Sequence, residues 1–173
     1  VIVLFSAVLG YFLHGKMMDE MVLDTEQRNA SIARSFANTL GPNLKQFFDQ
    51  AQAMPLDQLI GSDDYASLDD YFHLATTGLE VLKIKLYLLD GLTVYSSERA
   101  QLGEDKFANP GFQRARGGAV ASDLVFRSQF NAFEGLIEDR DLVASYVPIR
   151  YAGKTVGVLE LYSDVTSTVG RIK

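Results

Sequence analysis

The sequence has no cysteine and no tryptophan, and only two histidines and four prolines among its 173 residues. Without thiols there is no disulfide framework, no thiolate metal site and no cysteine nucleophile, and the redox compartment stays open because a thiol-free chain suits either. Basic residues are also scarce: 16 Lys and Arg against 22 Asp and Glu leave a net charge of −6. A nucleic-acid duplex would repel such a chain overall, so no nucleic-acid partner is expected. His14 follows an apolar run and His73 sits inside a helical pattern, so no Ser-His-Asp or metal-ligand constellation assembles at recognisable spacing. Gly117 and Gly118 precede a strand pattern and lack the following lysine of a phosphate loop. The acid pairs Asp63 with Asp64 and Asp69 with Asp70 read as solvated helix positions rather than acid–base dyads. The expectation is a segment that is not an enzyme, with no catalytic residues, no metal and no cofactor.

What is present is apolar surface. Hydrophobic residues make up 47% of the chain, with 11 Phe and 8 Tyr, too many for a disordered segment and enough for one core. Residues 1–13, VIVLFSAVLGYFL, carry no charge. As a helix they span about 20 Å, against about 30 Å for a bilayer core. The run reads as the outer end of a transmembrane helix. A signal-peptide hydrophobic region or a buried core helix is the alternative, although Phe12, Leu13 and His14 supply no small-x-small cleavage site.

Beyond the run the first half reads as helical. Residues 16–40 contain neither proline nor glycine, and Met18, Val22, Ile32, Ala33, Phe36, Ala37 and Leu40 recur at three and four, the period of one buried helix face. Gly41 and Pro42 stop or kink that helix. The pattern resumes through Leu44, Phe47 and Phe48 until Pro55, and Ser62 caps a further helix running to Gly78. After Gly78 the period drops to two. In residues 81–89, VLKIKLYLL, Leu82, Ile84, Leu86 and Leu88 alternate with Lys83, Lys85 and Tyr87. Asp90 and Gly91 turn the chain into a partner strand at 92–97. Asn109 and Pro110 open a short helix through Arg116, and residues 120–130, 141–149 and 155–163 are three more strands. The predicted fold is one α+β domain, with helices first and then about five strands. Leu82, Ile84, Leu86, Leu159 and Leu161 are expected to face the long helix and bury Phe36 and Leu40.

The last hairpin, SYVPIRYAGKTVGVLELYSDV at 145–165, resembles the closing strands of Cache-type, PAS-like extracytoplasmic sensor domains of bacterial membrane receptors. GLTVYSS, GEDKFANPGFQRA and DRDLVASYVPIR look like the versions found between two transmembrane helices of histidine kinases and diguanylate cyclases. The resemblance implies a long N-terminal helix on one face of a five-stranded antiparallel sheet and a ligand pocket on the other. It implies boundaries at 1–15 for the outer end of a membrane helix, 16–164 for one sensor domain, and 165–173 for the lead into a second membrane helix. It also implies a place at the inner membrane, with the domain outside the cytoplasm, and a histidine kinase or diguanylate cyclase as output. Amino-acid-binding members carry an aspartate on the last strand where this chain has Tyr162, a departure from that pattern.

Alternation puts Lys83, Lys85 and Tyr87 on one strand face and Val158, Glu160 and Tyr162 on one face of another. The family's strand order makes these two strands neighbours, so Lys85 would lie near Glu160, with Tyr146 and Arg127 on the next two strands. Lys85, Tyr87, Arg127, Tyr146, Glu160 and Tyr162 are the candidate ligand-binding residues, and residues 103–116 the candidate lid. The lysine and arginine suggest a small organic anion, whereas Glu160 suits an amine; a solvated cross-strand salt bridge is the bland alternative. Two functions follow. One is a ligand sensor that moves the second membrane helix. The other is a membrane-anchored interaction module that forms a homodimer along the apolar face of 18–40, a seam interrupted by Thr25 and Asn29.

Overall fold

A computed structural model describes the backbone of residues 2–173 and the side chains of residues 6 and 8–173. Helix α1 (Ile2–Ala53) is followed by α2 (Leu56–Ile60) and α3 (Asp63–Thr76), then by strands β1 (Val81–Tyr87) and β2 (Thr93–Ser96). A single 3-10 turn (Arg99–Gln101) and α4 (Pro110–Arg116) occupy the connection to β3 (Ala121–Ala132), β4 (Gly135–Tyr151) and β5 (Lys154–Asp164), and α5 (Thr166–Ile172) ends the chain. The strands form one antiparallel sheet in the order β2-β1-β5-β4-β3. This is the expected α+β architecture, with the long N-terminal helix on a five-stranded antiparallel PAS-like sheet.

Proline and glycine set the breaks. Gly41 adopts φ 41°, ψ −118° and bends α1, and Pro42 begins its second half. The positive φ falls at glycine because a Cβ there would clash with the backbone. Ser62 caps α3 by accepting a hydrogen bond from the Tyr65 amide, and Asn109 caps α4 through the Phe112 amide, with Pro110 in the first turn of α4.

Along α1 the buried residues are Met21, Thr25, Asn29, Ala30, Ala33, Phe36, Leu44, Phe47, Phe48 and Ala51, which recur mostly at three and four on one helix face. Two of these differ from the sequence reading. Thr25 and Asn29 do not interrupt the buried face; they lie on it, each 2% exposed. The Thr25 hydroxyl donates to the Met21 carbonyl. The Asn29 amide donates to Ser145 Oγ on β4 at 2.9 Å and accepts from Ser163 Oγ on β5 at 2.7 Å. These bonds satisfy the buried amide and fix the helix to two central strands.

The main core lies between α1, α3 and the sheet, where Ile84, Leu86, Leu159 and Leu161 join Phe36, Phe47, Phe48 and Phe72, with Leu40 packed at the edge. Leu82 is the exception to the expected set. It packs instead on the opposite side, beside Phe130, Leu142, Ala144 and Tyr162. The pairing of β1 with β5 slips between Val81 and Lys83, so the alternation resets at this bulge. The Leu82 carbonyl is taken by the amide of Phe133 in the β3–β4 turn.

The final helix packs against α1 near residue 14. His14 Nδ1 is 3.3 Å from the Ile172 carbonyl, and Val165 and Val169 pack with Met21 and Val143. Of the apolar run 1–13, residue 1 and the side chains of 2–5 and 7 lie outside the described residues. Among the described residues no helix is long and apolar enough to cross a membrane.

Candidate functional site

The face of the sheet turned away from α1 is covered by the connection between β2 and β3. Its backbone is pinned to β2: the Thr93 amide and hydroxyl both donate to the Glu104 carbonyl at 2.9 Å, and the Gly103 amide donates to the Thr93 carbonyl at 2.9 Å. The Lys106 amide reaches the Gly91 carbonyl at 2.8 Å. Helix α4 completes the cover. Phe112 meets the Tyr87 ring edge-on at 5.7 Å, and Gly111 lies so close to Tyr146 that a Cβ would fall 2.5 Å from the ring.

Under this cover, Lys85 of β1 is the direct cross-strand partner of Glu160 of β5, and Tyr146 of β4 is paired with Glu160 on its other side. Glu160 is fully buried. Its Oε2 accepts a short hydrogen bond from the Tyr87 hydroxyl. Tyr146 and Tyr162 also crowd this carboxylate, yet neither closes a hydrogen bond of standard geometry, and Oε1 has no partner among the described groups. Burial raises the pKa of all three phenols, and the negative charge of Glu160 raises them further; each remains a neutral donor at any physiological pH.

Two lysines join the cluster, each 2% exposed. Burial pushes the Lys85 ammonium below its ordinary pKa, while Glu160 and then Glu104 pull it back. Its ion-pair partner is Glu104 of the cover, at 3.3 Å. Lys83 pairs with Glu98 and lies 4.0 Å from the centroid of the Phe130 ring.

Five of the six residues expected at a site are thus brought together: Lys85, Tyr87, Tyr146, Glu160 and Tyr162. Arg127 stands apart. It is exposed on β3 opposite Arg140, and its link to the cluster is electrostatic, a lowering of the Tyr162 pKa. Sequence reasoning missed the cover carboxylates Glu98 and Glu104, because no local spacing relates them to Lys83 and Lys85. A cavity of about 560 Å³ lies elsewhere, between the end of α3 and the β3–β4 turn, walled by Leu79, Leu82, Phe133 and Ile137. Its charged or titratable lining residues Asp70, His73 and Glu134 are all exposed, and none of the six expected residues reaches it.

A helix lying along one face of a five-stranded antiparallel sheet, with a polar opposite face roofed by the β2–β3 connection, is the fold of PAS-like sensor domains. Comparison with solved structures bears this out. The sensor domain of the V. cholerae histidine kinase DctB superposes with a TM-score of 0.60 at 18% identity, over 97% of this chain and 60% of that one. The E. coli DcuS sensor domain gives 0.56 at 16% identity, over 88% of this chain and 97% of that one. The chain therefore spans about three fifths of the DctB domain and nearly all of the DcuS domain. No family model matches the sequence, and no curated protein matches it.

Proposed function

We propose that this chain is the extracytoplasmic ligand-sensing domain of a transmembrane receptor, and that a small polar ligand binds between the 98–116 cover and the face holding Lys85 and Glu160. One observation carries the reading. A carboxylate and an ammonium are buried together with three phenols, and one carboxylate oxygen has no hydrogen-bonding partner among the described residues. Replacing buried ionic groups by apolar ones is commonly neutral or stabilising, so a cluster of this kind is costly for a fold that only needs to stand. A ligand that completes the cluster gives it a purpose. An organic anion suits Lys85, and a hydrogen-bond donor such as an amine suits Glu160 Oε1.

The membrane reading draws on the apolar run 1–13 and on the contact between His14 and Ile172. In it, residues 1–15 end one membrane helix, 16–164 form the sensor, and 165–173 lead into a second. A ligand that prefers one of two packings of β5 against its cover shifts the equilibrium by its differential affinity. The shift passes through Val165 and α5 to a cytoplasmic histidine kinase or diguanylate cyclase. Cysteines introduced near residues 14 and 170 should both label from outside intact cells; labelling from the cytoplasm overturns the topology.

Ligand binding itself is tested by thermal-shift screening of the wild type and Lys85→Ala against small organic anions and amines. A compound that stabilises the wild type and not the variant supports the site, and equal stabilisation of both moves it elsewhere. A second reading, a membrane-anchored homodimerisation module without a ligand, is favoured by the close seating of Gly111 on Tyr146 and Phe112 on Tyr87. Absence of any stabilising compound, together with a concentration-dependent dimer, would select it.

A further inference from the structure

Lys83 and Lys85 are two residues apart on β1 and equally buried, but the carboxylates they meet are held very differently. Glu98 is bonded on both oxygens, to Lys83 Nζ at 2.5 Å and to the Asn131 amide, and its side chain is 18% exposed. Gln101 Oε1 takes a further bond from Lys83 at 3.3 Å. Glu104 has one side-chain contact among the described residues, the 3.3 Å pair with Lys85, and its side chain is 48% exposed. Its backbone does not share that looseness, because its carbonyl is held twice by Thr93. The carboxylate can swing into water while the chain that carries it stays in place. Lys106, two residues on, lies within electrostatic reach of Lys85, so positive charge remains at this spot when Glu104 leaves.

We propose that Glu104 is an internal stand-in for the ligand: its carboxylate occupies the anion position on Lys85, and a ligand carboxylate binds there by displacing it. The inference rests on the sensor reading above and adds to it a residue that sets affinity and selects among ligands. A tethered carboxylate competes at an effective concentration of order millimolar or more, so a lone carboxylate in solution is held off. A ligand that brings a second group to the cluster, such as a donor for Glu160, overcomes the competitor. The displaced Glu104 is half-exposed already and regains hydration readily, which keeps the threshold modest.

The test uses the full 173-residue chain and sodium acetate at constant ionic strength as a probe with one carboxylate and nothing else. Glu104→Gln should bind acetate about threefold to tenfold more tightly than the wild type, with the Lys85 Nζ resonance moving during the titration. The gain should vanish in Glu104→Gln combined with Lys85→Met. Equal acetate affinity in wild type and Glu104→Gln overturns the proposal, as does a gain that persists in the double variant or an Nζ resonance that stays still. The screen in the preceding section fails or succeeds separately. A blank screen with the acetate gain intact removes the sensor reading and leaves Glu104 as the occupant of Lys85, whereas a ligand found there with no acetate gain removes the role of Glu104 alone.

Discussion

The two faces of strands β1 and β5 are built from alternate residues of the same two peptides, and both are buried. On one, Ile84, Leu86, Leu159 and Leu161 have no exposed surface and sit in the main hydrophobic core; on the other, Lys83, Lys85, Tyr87, Glu160 and Tyr162 are buried to nearly the same degree. Equal burial has opposite energetic meaning on the two sides. Apolar burial is favourable in proportion to area, while each buried charge needs its hydration replaced by specific partners. The helix side therefore supplies the stability that lets the covered side hold groups a folding requirement alone would not select.

Removing atoms from the helix side should cost the most. Leu86→Ala leaves a cavity among fully buried neighbours and is expected to lower unfolding stability by about 2 to 5 kcal/mol, read from the urea midpoint. A loss under 1 kcal/mol would mean that this face collapses around the gap and that the contrast between the faces is smaller than their chemistry implies.

On the covered side single and paired changes should disagree. Glu160→Leu strips Tyr87 of its acceptor and Lys85 of its cross-strand counter-charge, for an expected cost of about 1 to 3 kcal/mol. Combined with Lys85→Met the loss should shrink, because the uncompensated ammonium is gone. Additive losses in denaturant titrations of the single and double variants would show that the two groups act independently.

The architecture was legible because hydrophobic period reports element type directly, as in the alternation at 83–88 and the helical spacing before Gly41. What was not legible depended on partners distant in the chain. Asn29 reads as a break in an apolar stripe until Ser145 and Ser163, 116 and 134 residues away, are seen to receive it. Leu82 fits the alternation of its own strand, and it changes face only because the pairing with β5 slips there. The expected strands stop at 130 and resume at 141, whereas β3 and β4 run on to 132 and from 135, as a two-stranded ribbon with a mixed polar and apolar sequence that follows no clean alternation. Five of the six expected site residues were brought together because strand alternation plus a neighbouring pair of strands suffices to align them. Arg127 was placed by strand order alone, and position along a strand is what strand order leaves open.

The smallest effect separates the faces by pH. Burial raises the pKa of Glu98, but the hydrogen bonds from Lys83 and Asn131 outweigh it and hold the carboxyl below its ordinary value of 4.5. A group whose pKa is depressed on folding contributes stability that is complete above the unfolded value and is lost as pH falls through the folded one. Glu98→Gln keeps the shape and removes that titration. The stability gap between wild type and Glu98→Gln should therefore be constant near neutrality and narrow as pH falls below about 4.5, measured by denaturant midpoints at each pH. The gap between wild type and Leu86→Ala involves no titrating group and should stay flat over the same range. A Glu98→Gln gap that also stays flat would mean that the Lys83–Glu98 pair adds nothing to the folded state, and that the cover is held by its backbone bonds to β2.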